Sequence, residues 1–141
     1  MSARAALVGV ALAVSLAGGA VAGELVVIVH PDRDVSLSES EVAQIYLKKR
    51  SFWTSGERIV PVNRDSGSVA RAAFAEAVFG NDTGLLPVYW NRQYFRGVLP
   101  PATLASDEAV MRFVASEPRA IGYVDSERVD ATVRVVHRLP D

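Results

Sequence analysis

Residues 62–74 read Val-Asn-Arg-Asp-Ser-Gly-Ser-Val-Ala-Arg-Ala-Ala-Phe, placing an arginine, an acid and a Ser-Gly-Ser turn directly ahead of a helical pattern. The first backbone N–H groups of a helix have no internal partners, and the helix dipole adds roughly half a positive charge at that end. An oxyanion satisfies both. In such a site Arg64 offers a bidentate fork, Ser66 and Ser68 offer hydroxyl donors, and Gly67 to Val69 offer backbone amides, with Gly67 permitting close approach. The same atoms have a plainer use: Ser66 or Ser68 caps the helix, Gly67 turns the chain, and Arg64 pairs with Asp65 or another surface acid. The residues alone leave both readings open.

Other groups invite weaker chemistry. His30, Asp32 and Asp34 could be imagined as a metal site, but His137 is the only other histidine and no ligand spacing results, so a solvated turn is expected. Lys48, Lys49 and Arg50 could attract anions, yet at the end of a helix they complement its dipole. Tyr89, Trp90, Tyr94 and Phe95 are interleaved with Arg92 and Arg96; a helix burying Leu86, Trp90 and Tyr94 accounts for half of them and leaves Tyr89 and Arg92 as a contact surface. The chain shows no Ser-His-Asp order with a nucleophile elbow, no zinc motif and no nucleotide-type phosphate loop, so it reads as a binding protein rather than an enzyme, without metal or cofactor.

The elements that must position these residues follow from periodicity. Glu24 to His30 is a β-branched strand stopped by Pro31, and Ser38 with Glu41 has capping-box spacing ahead of a helix burying Val42, Ile45 and Tyr46. A second strand runs from Ile59 to Val62, and a helix from Ser68 buries Ala70, Phe74, Ala77 and Val78 and stops at Gly80. A third helix carries Pro87 in its first turn. A fourth opens on Ser106, turns Val110, Phe113 and Val114 inward, and closes before Pro118. Ala120 to Val124 and Thr132 to Arg138 are the last strands. The order β-α-β-α-α-α-β-β predicts an α/β domain with a mixed, mostly parallel sheet flanked by helices.

Residues 1–22 read as a signal peptide: Arg4, an uncharged apolar run, and Ala20-Val21-Ala22 at the expected cleavage point. An uncleaved membrane anchor is the alternative. Residues 23–141 then form a single domain that is periplasmic or secreted. The chain has no cysteine, so apolar packing must hold it, and its 15 basic against 16 acidic residues argue against a nucleic-acid partner.

The segment from Val42 to Gly80 resembles the phosphate-type periplasmic substrate-binding proteins of ABC transporters. The matching pieces are Ile45-Tyr46-Leu47 with Lys49, then Trp53 and Gly56, then Arg64 to Ser68 as an R-x-x-G-S motif; Ala120-Ile121-Gly122-Tyr123 is similar to the family's late strand. The resemblance implies one periplasmic-binding-protein-like lobe. It implies reversible binding of phosphate or a similar oxyanion by Arg64, Ser66, Gly67, Ser68 and Val69, and an ABC permease, a sensor or an envelope protein as partner. The family continues the motif with Gly-Thr, whereas Val69-Ala70 stands here, removing one hydroxyl donor. Full members have two lobes, so one lobe implies low affinity, with a homodimer as one source of a second wall. The alternative function is a periplasmic interaction module that has lost ligand binding.

Overall fold

The computed structural model describes residues 23–140. The expected signal segment at 1–22 lies outside the described residues. The strands are β1 (Leu25–Val29), β2 (Val60–Arg64), β3 (Ala102–Leu104), β4 (Ala120–Asp125) and β5 (Arg134–Arg138). The helices are α1 (Glu39–Tyr46), α2 (Val69–Phe79), α3 (Leu86–Phe95) and α4 (Asp107–Ser116), with 3₁₀ segments at Gly80–Leu85 and Ser126–Arg128.

One sheet has the order β3-β2-β4-β1-β5. β2 is parallel to both β3 and β4, while β1 is antiparallel to both β4 and β5, so β1 alone runs against the other four strands. This is the mixed, mostly parallel α/β lobe that the sequence order predicts. β1 is inaccessible to solvent from Val26 to Val29, as its unbroken β-branched run requires of a strand covered on both faces.

The capping box of α1 is complete: Ser38 Oγ accepts from the Glu41 amide at 3.1 Å and Glu41 Oε1 accepts from the Ser38 amide at 3.4 Å. The basic residues beyond α1 do not act on its dipole as expected. Its last turn contains none of them, Lys48 turns the chain with φ 59°, and Arg50 reaches back to Glu41 Oε2 at 2.5 Å. α4 buries Val110, Met111 and Val114, while Phe113 packs against the same core only partly buried.

α3 departs most from expectation. None of its residues is buried, and Tyr94 is 64% and Phe95 81% exposed, so the expected core stripe of Leu86, Trp90 and Tyr94 does not form. α3 leans on the body through one end of the stripe and through the Tyr89 hydroxyl, which donates to the Leu47 carbonyl at 2.5 Å. The expected contact residue Tyr89 is therefore a tether.

Two cores lie on opposite faces of the sheet. One joins Val27, Val29, Ile45, Tyr46, Trp53, Phe74 and Tyr123; the other joins Val26, Ile28, Val62, Val110, Val114 and Val124. In the first, Phe74 of α2 stacks on Tyr123 of β4 with centroids 3.9 Å apart and planes 3° from parallel, and Tyr46 of α1 leans on Phe74 at 4.7 Å. Both tyrosines hide their rings and spend their hydroxyls on β2: Tyr46 donates to the Val62 carbonyl at 2.8 Å, and Tyr123 donates to Asn63 Oδ1. On the other face α4 sits so close to β4 that a Cβ at Gly122 would lie 2.7 Å from Val110 Cγ1 and 3.2 Å from Val62 Cγ2.

These contacts predict that Gly122→Ala costs about 1–3 kcal/mol in denaturant unfolding, because branched valines on two sides cannot withdraw. Burial pushes the Tyr123 hydroxyl up to about 12 and the Tyr46 hydroxyl well above its ordinary value. A raised tyrosine stabilises the fold fully below its unfolded value near 10, and that contribution disappears as pH climbs through the folded value. Stability should thus fall progressively above pH 10, and the part of the tyrosinate absorbance that develops near pH 12 should vanish in Tyr123→Phe.

Candidate functional site

β2, β3 and β4 run the same way, so their carboxyl ends meet at one edge of the sheet. β1 runs the other way and brings its first residue there, with Leu25 opposite Asp125. At this edge α2 and α4 begin, and ligands of open α/β sheets collect at such edges. A cavity of about 390 Å³ lies here, lined by Leu25, Arg64, Ser68, Val69, Ala70, Ala73, Asp107 and Asp125.

Arg64 is the last residue of β2 rather than part of the following turn. Its amide faces Asn63 Oδ1 at 2.9 Å and the Tyr123 hydroxyl at 3.3 Å, and its carbonyl accepts from Arg71 Nη1 at 2.9 Å. The guanidinium donates through Nη1 to Asp107 Oδ1 at 2.6 Å and through Nη2 to the Ala105 carbonyl at 3.3 Å. Both side chains of the pair are largely covered, at 14% and 20% exposure, so this pair is not the loosely solvated one expected of a surface acid. Arg64 Nε is buried with no hydrogen-bond partner among the described residues; Asp65 Oδ1 stands 3.5 Å away.

Ser68 is the N-cap of α2, its Oγ accepting from the Arg71 amide at 3.3 Å. A hydroxyl that accepts in this way keeps its own proton to donate, so capping and anion contact are compatible uses of one side chain. The amides of Val69 and Ala70 lie in the first helical turn, where no carbonyl four residues earlier in the helix is available. Val69 lines the cavity and is 74% exposed.

The structure therefore gathers Arg64, Ser68 and Val69 round one cavity, while Ser66 and Gly67 occupy the exposed turn outside its lining. A Cβ at Gly67 would meet nothing within 4 Å and its backbone is not left-handed, so neither packing nor conformation demands glycine there. Asp107 and Asp125 are the wall residues that sequence reasoning missed. Asp107 follows β3, a three-residue edge strand too short to leave a periodic signal, and only the fold brings it to Arg64.

The other candidates do not join this site. His30 Nδ1 faces the Asp32 amide at 3.2 Å, and Asp34 pairs with Arg134 at 2.9 Å. Among the described residues no group of three or more His, Cys, Asp or Glu side chains is placed to hold a metal ion, and no helix is long and apolar enough to cross a membrane.

No family model matches the sequence, and no curated protein matches it. Solved structures do. A protein from Clostridium perfringens, provisionally assigned as a phosphate ABC transporter substrate-binding protein and solved with bound phosphate, is 26% identical with a TM-score of 0.62; the match covers 80% of this chain and 44% of that one. An ABC-type phosphate transport receptor from Vibrio cholerae is 17% identical with a TM-score of 0.64, over 80% and 45% of the two chains. PstS from Borrelia burgdorferi is 15% identical with a TM-score of 0.61, over 80% and 46%. The chain thus spans less than half the length of these neighbours. Fold and ordered motifs agree: the chain resembles, over four-fifths of its length, one lobe of the phosphate-type substrate-binding proteins of ABC transporters.

Proposed function

We propose that this lobe binds a small oxyanion, phosphate first among them, reversibly at the start of α2. The observation that carries the reading is that Arg64, the capping Ser68, and Val69 and Ala70 of the first turn of α2 line one cavity. The phosphate bound in the Clostridium perfringens neighbour supports the choice of anion. Arg64 supplies charge already directed by Asp107, Ser68 a hydroxyl proton, and Val69 and Ala70 amide donors. Ser66 and Gly67, on the exposed turn, contribute only where the anion reaches beyond the cavity. The role is binding and not catalysis, in the periplasm or outside the cell, with an ABC permease, a sensor or an envelope protein receiving the loaded form.

In a single lobe each hydrogen bond competes with water and contributes about 0.5–1.5 kcal/mol, so three or four of them give a Kd on the order of 1 mM. The two carboxylates on the wall shape the choice of ligand. Hydrogen phosphate can donate its proton to Asp107 or Asp125, whereas sulfate has none to give and meets only repulsion.

Calorimetry of residues 23–141 should show saturable phosphate binding in the millimolar range, weaker sulfate binding, and none in Arg64→Ala. No heat and no melting shift at millimolar phosphate would overturn the reading. Gly67→Ala, outside the cavity lining and with open space at its Cβ, should leave phosphate binding unchanged and keep stability within about 0.5 kcal/mol of the parent. Replacing Val69-Ala70 with Gly-Thr adds one hydroxyl donor and should tighten phosphate about two- to tenfold.

A second reading, an interaction module without ligand, is favoured by one observation. Leu85, Val88 and Phe95 face outward at 63%, 55% and 81% exposure, in helical register with Arg92. This stripe replaces Tyr89 as the contact surface. Retention of an envelope protein that is lost in Phe95→Asp but kept in Arg64→Ala would select this reading, and sedimentation of the two variants would show whether the partner is a second copy.

A further inference from the structure

We propose that the cleft between α2, α3 and the β2–β3 edge is a second binding site, for small carboxylates with an aromatic or branched apolar body. The cleft encloses about 380 Å³, within the range of small-molecule sites, and shares no lining residue with the oxyanion cavity. It stands whether or not the oxyanion reading does.

Its walls are apolar: Phe74 and Phe79 from α2, Leu86 and Trp90 from α3, and Pro100 and Pro101 ahead of β3. The two prolines lock the backbone that closes one side, so the wall is set before any ligand arrives. α3 leaves the space open because none of its residues enters the core.

The polar groups in the lining, chiefly Asn63, Arg71 and Thr103, offer donors. Asn63 Oδ1 already accepts from the Arg64 amide and the Tyr123 hydroxyl, which fixes the amide and leaves its NH₂ as the free end. Arg71 spends Nη1 on the Arg64 carbonyl, and that bond orients the rest of its guanidinium. Asn63 and Thr103 are paired across β2 and β3, so both side chains leave the sheet at the same level. The lining contains no acid. Donors set among apolar walls call for a ligand that brings acceptors on an apolar body, and a carboxylate fits a guanidinium edge.

The test uses residues 23–141, phenylacetate as probe, and the two indole N–H signals in a nitrogen–proton correlation spectrum. Trp90 lines the cleft, whereas Trp53 is buried and donates its Nε1–H to the Arg119 carbonyl at 3.0 Å. Phenylacetate should shift the Trp90 signal saturably and leave Trp53 in place, with Trp90→Phe assigning the peak. Neutral phenylacetamide should bind about tenfold more weakly, the loss of one charge-assisted contact. Ala75→Leu, which fills the cleft, should abolish the shift while phosphate calorimetry is unchanged, and Arg64→Ala should leave it intact. A folded protein whose Trp90 signal does not move at millimolar phenylacetate, an equal response to phenylacetamide, or an unaltered response in Ala75→Leu would each overturn the proposal.

Discussion

The geometry of this lobe turns on how Arg64 is held. Its backbone amide is fixed by Asn63 and Tyr123, its carbonyl by Arg71 and its guanidinium by Asp107, so one residue ties β2 to β4, α2 and α4. The hydroxyl and amide partners are fixed in turn by the Phe74–Tyr123 stack beneath them. An arginine on a free loop would lose side-chain entropy on binding an anion; one already clamped at both ends has lost most of it on folding.

The clamp also sets the site's electrostatics. Asp107 compensates much of the Arg64 charge, and Asp125 adds another carboxylate to the wall, so the proposed pocket depends on aimed donors more than on net positive potential. Ser68 illustrates the economy of the arrangement, since an oxygen that caps α2 by accepting still has its own proton to donate.

Much of the fold was legible in the sequence because its signals are local. Ser38 with Glu41, Ser68, Gly80 and Ser106 each mark a helix end through their own hydrogen bonds or backbone, and the run Val26 to Val29 announces a doubly covered strand. What could not be read there is tertiary. The three residues of β3 carry no period, Asp107 meets Arg64 only after β3 has paired with β2, and the stripe on α3 has the right spacing for a core that nothing in the described residues completes. The choice between helix cap and anion contact was undecidable for a different reason: the cap uses the Ser68 oxygen as an acceptor and leaves the proton unspent, so capping does not exclude the other use.

In the proposed site the start of α2 and the Arg64 side chain together hold an oxyanion. A crystal structure of residues 23–141 grown with millimolar phosphate tests it most directly. Tetrahedral density is expected within hydrogen-bond distance of the Arg64 guanidinium, Ser68 Oγ and the Val69 or Ala70 amide, with one phosphate oxygen facing Asp107 or Asp125. A cavity holding only water, with Arg64 still paired to Asp107 and the α2 amides solvated, would contradict it.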